Sequence, residues 1–249
     1  ILRRETIMTT TRKSTKAAAI VLTLTMLVGM FCIFGTATTS AATDRVSLYS
    51  SSVTFSKYGS SNREVFIKTN DNAANQEVYV HYCYMDNQPW QDAKAEYVTT
   101  LSDGSKIWKA NFSSFNTKYA IKYVADGQEI WDNNNGMDYT YADVCGTAPV
   151  TVERTGYAYY NIPVRAVLQN YAYNKNVFVR YTTDGWKSFK DQKLTYSSTN
   201  ANGTENWTTT VYDATNSNIE YAVCYQVNGT EFWANNFGAN YDGTYYIHR

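Results

Sequence analysis

Residues 118–139 read KYAIKYVADGQEIWDNNNGMDY and residues 220–241 read EYAVCYQVNGTEFWANNFGANY, and ten of the twenty-two positions are identical. The two stretches lie 102 positions apart. An internal repeat with that period is too long for a solenoid unit and predicts two tandem copies of one small domain. Within each stretch Tyr119, Ile121 and Tyr123, or Tyr221, Val223 and Tyr225, fall on alternate positions, the pattern of a strand with one face in a core. Asp126-Gly127 and Asn228-Gly229 follow, and such dipeptides between apolar-aromatic runs predict hairpin turns.

The same pattern continues outward. Val78, Val80 and Tyr82 alternate with Tyr79 and His81, as Val177, Val179 and Tyr181 do with Phe178 and Arg180, and Asp184-Gly185 supplies a further turn signal. Helical periodicity is absent after residue 42. The expected fold is all-β: two tandem antiparallel β-sandwich modules, immunoglobulin-like, of roughly seven or eight strands each. Residues 43–141 form the first module and residues 151–249 the second. Between them Ala142 to Val150 reads as a linker, with Gly146 and Pro149 breaking the strand pattern. A linker that short confines the modules to neighbouring positions.

Residues 1–42 read as a signal peptide. Arg12, Lys13 and Lys16 precede an apolar run from Ala17 to Phe34, and small residues follow through Ser40-Ala41-Ala42, the order of a secretory leader. Cleavage is expected after Ala42 or one residue earlier, with a retained anchor as the alternative because the run approaches spanning length. The expected location is therefore extracellular, secreted or cell-surface associated, with no membrane contact after removal of the leader. Cys83, Cys145 and Cys224 remain in the mature chain, an odd number that implies no disulfide framework.

Composition narrows the chemistry. There are 23 Tyr and 6 Trp against 2 His, so metal and His-dependent nucleophile chemistry are poorly supplied, and neither a metal nor a cofactor is expected. The formal charge is zero, and without residues 1–42 it becomes −4. A mildly acidic chain with no basic patch lacks the footprint of a nucleic-acid binder. In both repeats a Trp is followed by paired Asn, a flat apolar face beside neutral hydrogen-bonding groups, which is what a sugar ring needs. Burying roughly 100 Å² of pyranose C–H surface at about 25 cal/mol per Å² yields about 2–3 kcal/mol per stacked ring before association costs. Two tryptophans set at an angle can follow successive units of a curved α-glucan.

The segment from Gln169 to Phe189, with Ile219 to Tyr225 and Phe232-Trp-Ala-Asn-Asn236, resembles carbohydrate-binding module family 21, the starch- and glycogen-binding domains of fungal glucoamylases and of glycogen-targeting phosphatase subunits. The resemblance covers residues 150–245, and residues 45–141 look like a more divergent copy. It implies a β-sandwich that binds α-1,4-linked glucan without cleaving it. Carried across by position, the principal site falls on Trp186 and Trp233 with Asn235 and Asn240, and in the first copy on Trp90 and Trp131 with Asn133 and Asp138. A third family aromatic is missing, with Ala222 and Ala120 in its place. A second family site falls on Tyr173, Lys175 and Tyr196, whereas Ala74 and Gln76 stand at the Tyr and Lys positions of the first copy.

Trp108 and Trp207, each within an expected strand, are assigned to the core. A hydrolase needs two carboxyl groups about 5–10 Å apart across a cleft. Glu129, Asp132, Asp184 and Glu231 form no repeated pair, because Asp132 becomes Ala234 and Asp184 has no counterpart. An adaptor that recruits an enzyme to glucan, or the targeting part of a larger amylolytic enzyme, is the alternative, although two modules leave no obvious segment for a second surface. The expected function is non-catalytic α-glucan binding, with amylolytic enzymes sharing the environment.

Overall fold

A computed structural model describes residues 45–55, 61–84, 88–113, 117–153, 161–212 and 219–243. The segment assigned to a signal peptide, residues 1–42, lies outside the described residues, as do residues 43–44 and 244–249 of the two expected modules. No helix among the described residues is long and apolar enough to cross a membrane.

The regular structure of the described residues is almost entirely strand. The first half holds β1 (Val46–Phe55), β2 (Ser61–Thr69), β3 (Gln76–Tyr84), β4 (Gln91–Lys94), β5 (Glu96–Thr100), β6 (Lys106–Ser113), β7 (Thr117–Ala125) and β8 (Gln128–Asp132). The second holds β9 (Val150–Glu153), β10 (Asn161–Leu168), β11 (Lys175–Thr182), β12 (Lys190–Lys193), β13 (Thr195–Thr199), β14 (Glu205–Tyr212), β15 (Glu220–Val227), β16 (Thr230–Ala234) and the short β17 (Tyr241–Asp242). The antiparallel sheets run β1-β2-β6-β5 and β4-β3-β7-β8 in the first half, and β9-β10-β14-β13 and β12-β11-β15-β16 in the second, where β17 also pairs with β15. The strand order is the same in both halves, and each pair of sheets encloses its own apolar core.

Alternation sets which side chains face in. Val78 and Val80 are fully buried in the first core, and Val177 and Val179 take the same places in the second. The residues between them, Tyr79 and His81 or Phe178 and Arg180, therefore point to the outer face of their sheet. Asp126-Gly127 (φ 49° and 82°) and Asn228-Gly229 (φ 51° and 77°) close two-residue hairpins, the left-handed pair that a type I′ turn requires. Asp184-Gly185 behaves differently from the turn expected there. In the β11–β12 pairing Tyr181 faces Lys190, so the loop is wider than a two-residue turn, and Trp186 inside it has φ 66°.

Trp108 and Trp207 are only partly buried, packed against the two cores from the side. Their indole N–H groups donate to Thr69 Oγ1 at 3.0 Å and Glu205 Oε2 at 2.9 Å, which is how a tryptophan with one wet edge satisfies its donor.

Residues 142–150 are laid along β1. The amides of Gly146, Thr147 and Ala148 donate to the carbonyls of Tyr49, Leu48 and Tyr49 at 3.1, 2.8 and 3.0 Å, and Ser51 donates back to Val144 at 2.8 Å. Cys145, Ala148 and Val167 form a small buried cluster against Tyr49 and Val144. A Cβ on Gly146 would come within 2.2 Å of the Leu48 carbonyl oxygen, so only glycine allows this approach. Further along the seam, the Phe237 ring lies 5.0 Å from Phe66 and 5.8 Å from Tyr49.

Candidate functional site

The outer face of β12-β11-β15-β16 gathers the residues expected at the principal site of the second half. Trp233 on β16 faces Cys224 on β15, and Glu220 lies four residues further along the same strand and face, roughly 13 Å away at strand spacing. Trp186 reaches that end of the face, its Nε1 donating to Glu220 Oε2 at 2.7 Å. Trp186 and Trp233 thus flank one sheet face, both half-buried. The loop that presents Trp186 is held from within. Thr182 Oγ1 accepts from the Trp186 amide at 3.0 Å, and Asp184 accepts from the Ser188 amide at 3.0 Å and the Ser188 hydroxyl at 2.7 Å. Those Ser188 bonds, with the Thr182 hydroxyl, lower the Asp184 carboxyl to about 2.

Between the tryptophans lies Arg180. It makes a bidentate pair with Asp191, both bonds 2.7 Å, and its guanidinium sits 5.3 Å from the Trp233 ring centre and 4.2 Å from Phe189. The Asp191 bonds raise its basicity further. Ala222, where the family aromatic is missing, is buried and faces Arg180 in register. A planar cation therefore occupies the stretch of sheet that lacks the third ring. Around Trp233, with Arg180, Phe178 and Glu231, the surface forms a depression of about 400 Å³.

The first half repeats this plan with different chemistry. Trp90 stacks on His81 with ring centres 4.9 Å apart and planes 13° apart, and His81 meets the edge of Trp131 at 5.4 Å. His81 faces the buried Ala120 as Arg180 faces Ala222. Its Nδ1 lies 2.6 Å from Asp92, which also binds Lys122. Burial opposes the Asp92 charge, but the bonds from Lys122 and His81 prevail and hold the carboxyl below its usual range. Trp90 and Trp131 are the more open of the four expected tryptophans, 41% and 37% exposed. Neither His81 nor Arg180 belongs to the residues expected from sequence. Their place outward on a strand opposite an alanine is the signal that could have found them.

The amide blocks serve the backbone first. Asn133 and Asn235 cap short 3-10 turns, each Oδ1 accepting from the glycine three residues on at 3.0 and 3.3 Å. Asn134 and Asn236 donate to the carbonyls of Asp138 and Asn240 at 3.1 and 3.2 Å. Asp138 and Asn240 adopt φ 57° and 58°, conformations that Asn and Asp tolerate better than most residues.

At the second expected site the residues diverge. Tyr173 is 97% exposed, and Tyr196, also exposed, bonds Thr199 at 2.9 Å and meets the edge of Trp207 at 6.1 Å. Lys175 is instead engaged inside the protein. Its side chain is 2% exposed, with Nζ 2.8 Å from Glu205 and 2.5 Å from Asn170. It braces the strand beside the tyrosines and does not reach outward. Tyr97, not among the residues expected from sequence, bonds Thr100 at 2.9 Å and meets Trp108 edge-on at 5.8 Å, repeating the Tyr196 arrangement in the first half.

The acidic residues weighed for hydrolysis have other partners. Asp132 is buried and accepts from the Leu48 amide at 3.0 Å and the Tyr139 hydroxyl at 2.7 Å. Asp184 holds its loop, Glu231 accepts from Gln226 at 2.6 Å, and Glu129 is exposed on β8. No group of His, Cys, Asp and Glu able to hold a metal occurs among the described residues.

Residues 152–243 match the carbohydrate/starch-binding module (family 21). Beyond this family-21 match, the chain is 35% identical over 78 residues to glycogen-binding subunit 76A of Drosophila melanogaster, and 38% identical over 80 residues to protein phosphatase 1 regulatory subunit 3B of Bos taurus. Each alignment takes in 30% of this chain, and the chain spans 12% and 28% of those relatives. Among solved structures, the starch binding domain of Rhizopus oryzae glucoamylase, in complex with beta-cyclodextrin and maltoheptaose, is 22% identical, covers 39% of this chain and 92% of its own, and has a TM-score of 0.34. The carbohydrate binding module of the muscle glycogen-targeting subunit of protein phosphatase-1 is 20% identical, covers 38% and 73%, and has a TM-score of 0.33.

These relatives correct one expectation. A secreted or cell-surface protein was expected from residues 1–42. The relatives named above are a glycogen-binding subunit and a regulatory subunit of protein phosphatase 1, and glycogen is a store kept inside cells. The extracellular placement is overturned on that finding.

Proposed function

We propose that this protein holds α-1,4-linked glucan of the glycogen or starch type without cleaving it, and that each half, residues 43–141 and 151–249, contributes a binding face. The observation that carries this reading is Trp186 and Trp233 on one outer sheet face within the family-21 segment, residues 152–243. Indoles there remove the apolar face of successive rings from water, while the amides of Asn235 and Asn240 meet ring hydroxyls. Trp90 and Trp131, with Asn133 and Asp138, do the same in the first half. Tyr173 and Tyr196 form a lesser site, braced by Lys175. Co-sedimentation with insoluble starch and with cellulose, with reducing sugar measured in the same tubes, tests it. Retention on starch without sugar release is the expected result, and binding to cellulose alone or released sugar overturns it.

The relatives favour a particular use of that binding, the adaptor that brings an enzyme to glucan. Protein phosphatase 1 is the enzyme named in most of them. Mixing the protein with glycogen and the catalytic subunit of protein phosphatase 1, then sedimenting the glycogen, separates the two uses. Enzyme carried down only when the protein is present supports an adaptor, and enzyme left in solution supports binding alone or a targeting part of an amylolytic enzyme.

A further inference from the structure

A cleft of about 410 Å³ lies along the seam between the halves, bordered by β1, β2 and the β5–β6 turn on one side and by β9, β16 and the Asn236–Gly238 turn on the other. That volume falls within the range of small-molecule sites. We propose that the cleft is a glucan subsite continuous with the Trp233 face, so that one chain seated on the second half runs on into the seam and touches both halves. The proposal rests on the glucan-binding reading above and adds where a longer chain goes.

Three observations carry it. First, Trp233 borders both concavities, the outer depression that contains Arg180 and the seam cleft. The two concavities therefore meet at the edge strand that carries Trp233. Second, the lining has the chemistry of a neutral sugar. Serine, threonine and asparagine residues line it together with the rings of Phe66 and Phe237 and the aliphatic Val150 and Val152, and Glu64, paired with Lys109 at 2.6 Å, is the one charged residue of the lining. Hydroxyls match hydroxyls and aromatic rings match C–H faces, whereas an ionic ligand would need an unpaired charge there. Third, the walls are fixed in place. The backbone bonds between residues 144–148 and β1 tie the segment between the halves to the first of them. Phe237 keeps φ 54°, unfavourable for an aromatic residue, while packed against Phe66 and Tyr49. The same turn in the first half gives Asn135 φ 58°, so the fold fixes this conformation and with it the place of the Phe237 ring.

Calorimetric titration of the full chain with maltotriose and with maltoheptaose tests the proposal, together with Ser102→Trp and Ser102→Phe, which place an aromatic ring at the cleft from an exposed position of the first half. In the unaltered protein maltoheptaose is expected to bind about tenfold or more tightly than maltotriose, because only the longer chain reaches the seam. Each substitution is expected to remove that gain and leave maltotriose affinity within about twofold. Trp233→Ala is expected to weaken both sugars. A flat series from maltotriose to maltoheptaose in the unaltered protein overturns the proposal without recourse to any variant. Maltoheptaose affinity intact in a variant whose circular dichroism and melting are unchanged overturns it too. No binding of either sugar to the unaltered protein overturns the glucan reading itself.

Discussion

His81 and Arg180 occupy the same place in two sheets: each points outward from the second strand of its sheet, each faces an alanine in register, and each is tied to an aspartate on the edge strand beside it, Asp92 or Asp191. Each also lies against the tryptophan of the following hairpin, Trp131 or Trp233. One half thus orients its platform with an imidazole and the other with a guanidinium. Replacing Arg180 by Lys keeps the charge but loses the planar fork. Arg180→Lys is expected to weaken glucan binding by about 1 kcal/mol with little change in melting, as read by titration of the full chain with maltotriose.

Platform and packing tryptophans are expected to separate cleanly. Trp186→Ala and Trp233→Ala lower affinity by about 1–3 kcal/mol at modest cost to stability. Trp207→Ala, which also frees Glu205 from its indole bond, is expected to lower stability by about 2 kcal/mol. Paired titrations and urea melts check this, and the reverse pattern shows that core and site have been exchanged.

Lys175 and Tyr173 make opposite forecasts two positions apart. Lys175→Ala leaves Glu205 without its buried ammonium and is expected to cost about 3 kcal/mol of folding free energy. Tyr173→Ala removes an exposed ring and is expected to leave the urea midpoint unchanged while lowering the number of β-cyclodextrin molecules bound per chain.

Asp184 links pH to the Trp186 loop. Its carboxyl is lowered to about 2 in the folded protein, below the ordinary unfolded value near 4. Its contribution is therefore fully present above about pH 4 and fades as pH falls through about 2. Asp184→Asn is expected to flatten that acid limb of the stability curve and to weaken maltotriose binding at neutral pH, both measured against the unaltered protein.

Burial pushes the thiols of Cys145 and Cys224 up to about 12, so neither supplies thiolate at neutral pH. Iodoacetamide at pH 8 is expected to modify them at least about a hundredfold more slowly in the native protein than in urea. Peptide mass mapping over time reads this out, and rapid native labelling of either thiol contradicts the packing at the seam or beneath Trp233. Gly146→Ala, which forces a Cβ against the Leu48 carbonyl, is expected to cost about 2 kcal/mol or more and to speed labelling of Cys145 beside it.

The fold was legible because its signals are local. Period-two alternation at Val78–Tyr82 and Val177–Tyr181 and the dipeptides Asp126-Gly127 and Asn228-Gly229 each act within a few residues, and each formed the expected element. The sites were less legible because they depend on distant pairings. Lys175 looked free to meet a ligand until Glu205, thirty residues on, took its charge. Arg180 and His81 went unnoticed because a missing aromatic at Ala222 or Ala120 draws attention to the gap, while the residue covering it lies on the neighbouring strand. Asp184-Gly185 carried a turn signal whose outcome was decided by the register of β12.

The seam has a knob and a socket, and each half holds only one of them. Phe237 is the knob, and the matching position of the first half is Asn135. Phe66 is the heart of the socket, and its counterpart in the second half is Arg165, committed to Glu153 at 2.9 Å. Were every half to carry both parts, each could receive the next, and head-to-tail contacts of that type grow into filaments unless a rotation closes them. Here the first half carries Asn135 in place of the knob and the second carries Arg165 in place of the socket, so neither half repeats the contact and the fit between them runs one way only.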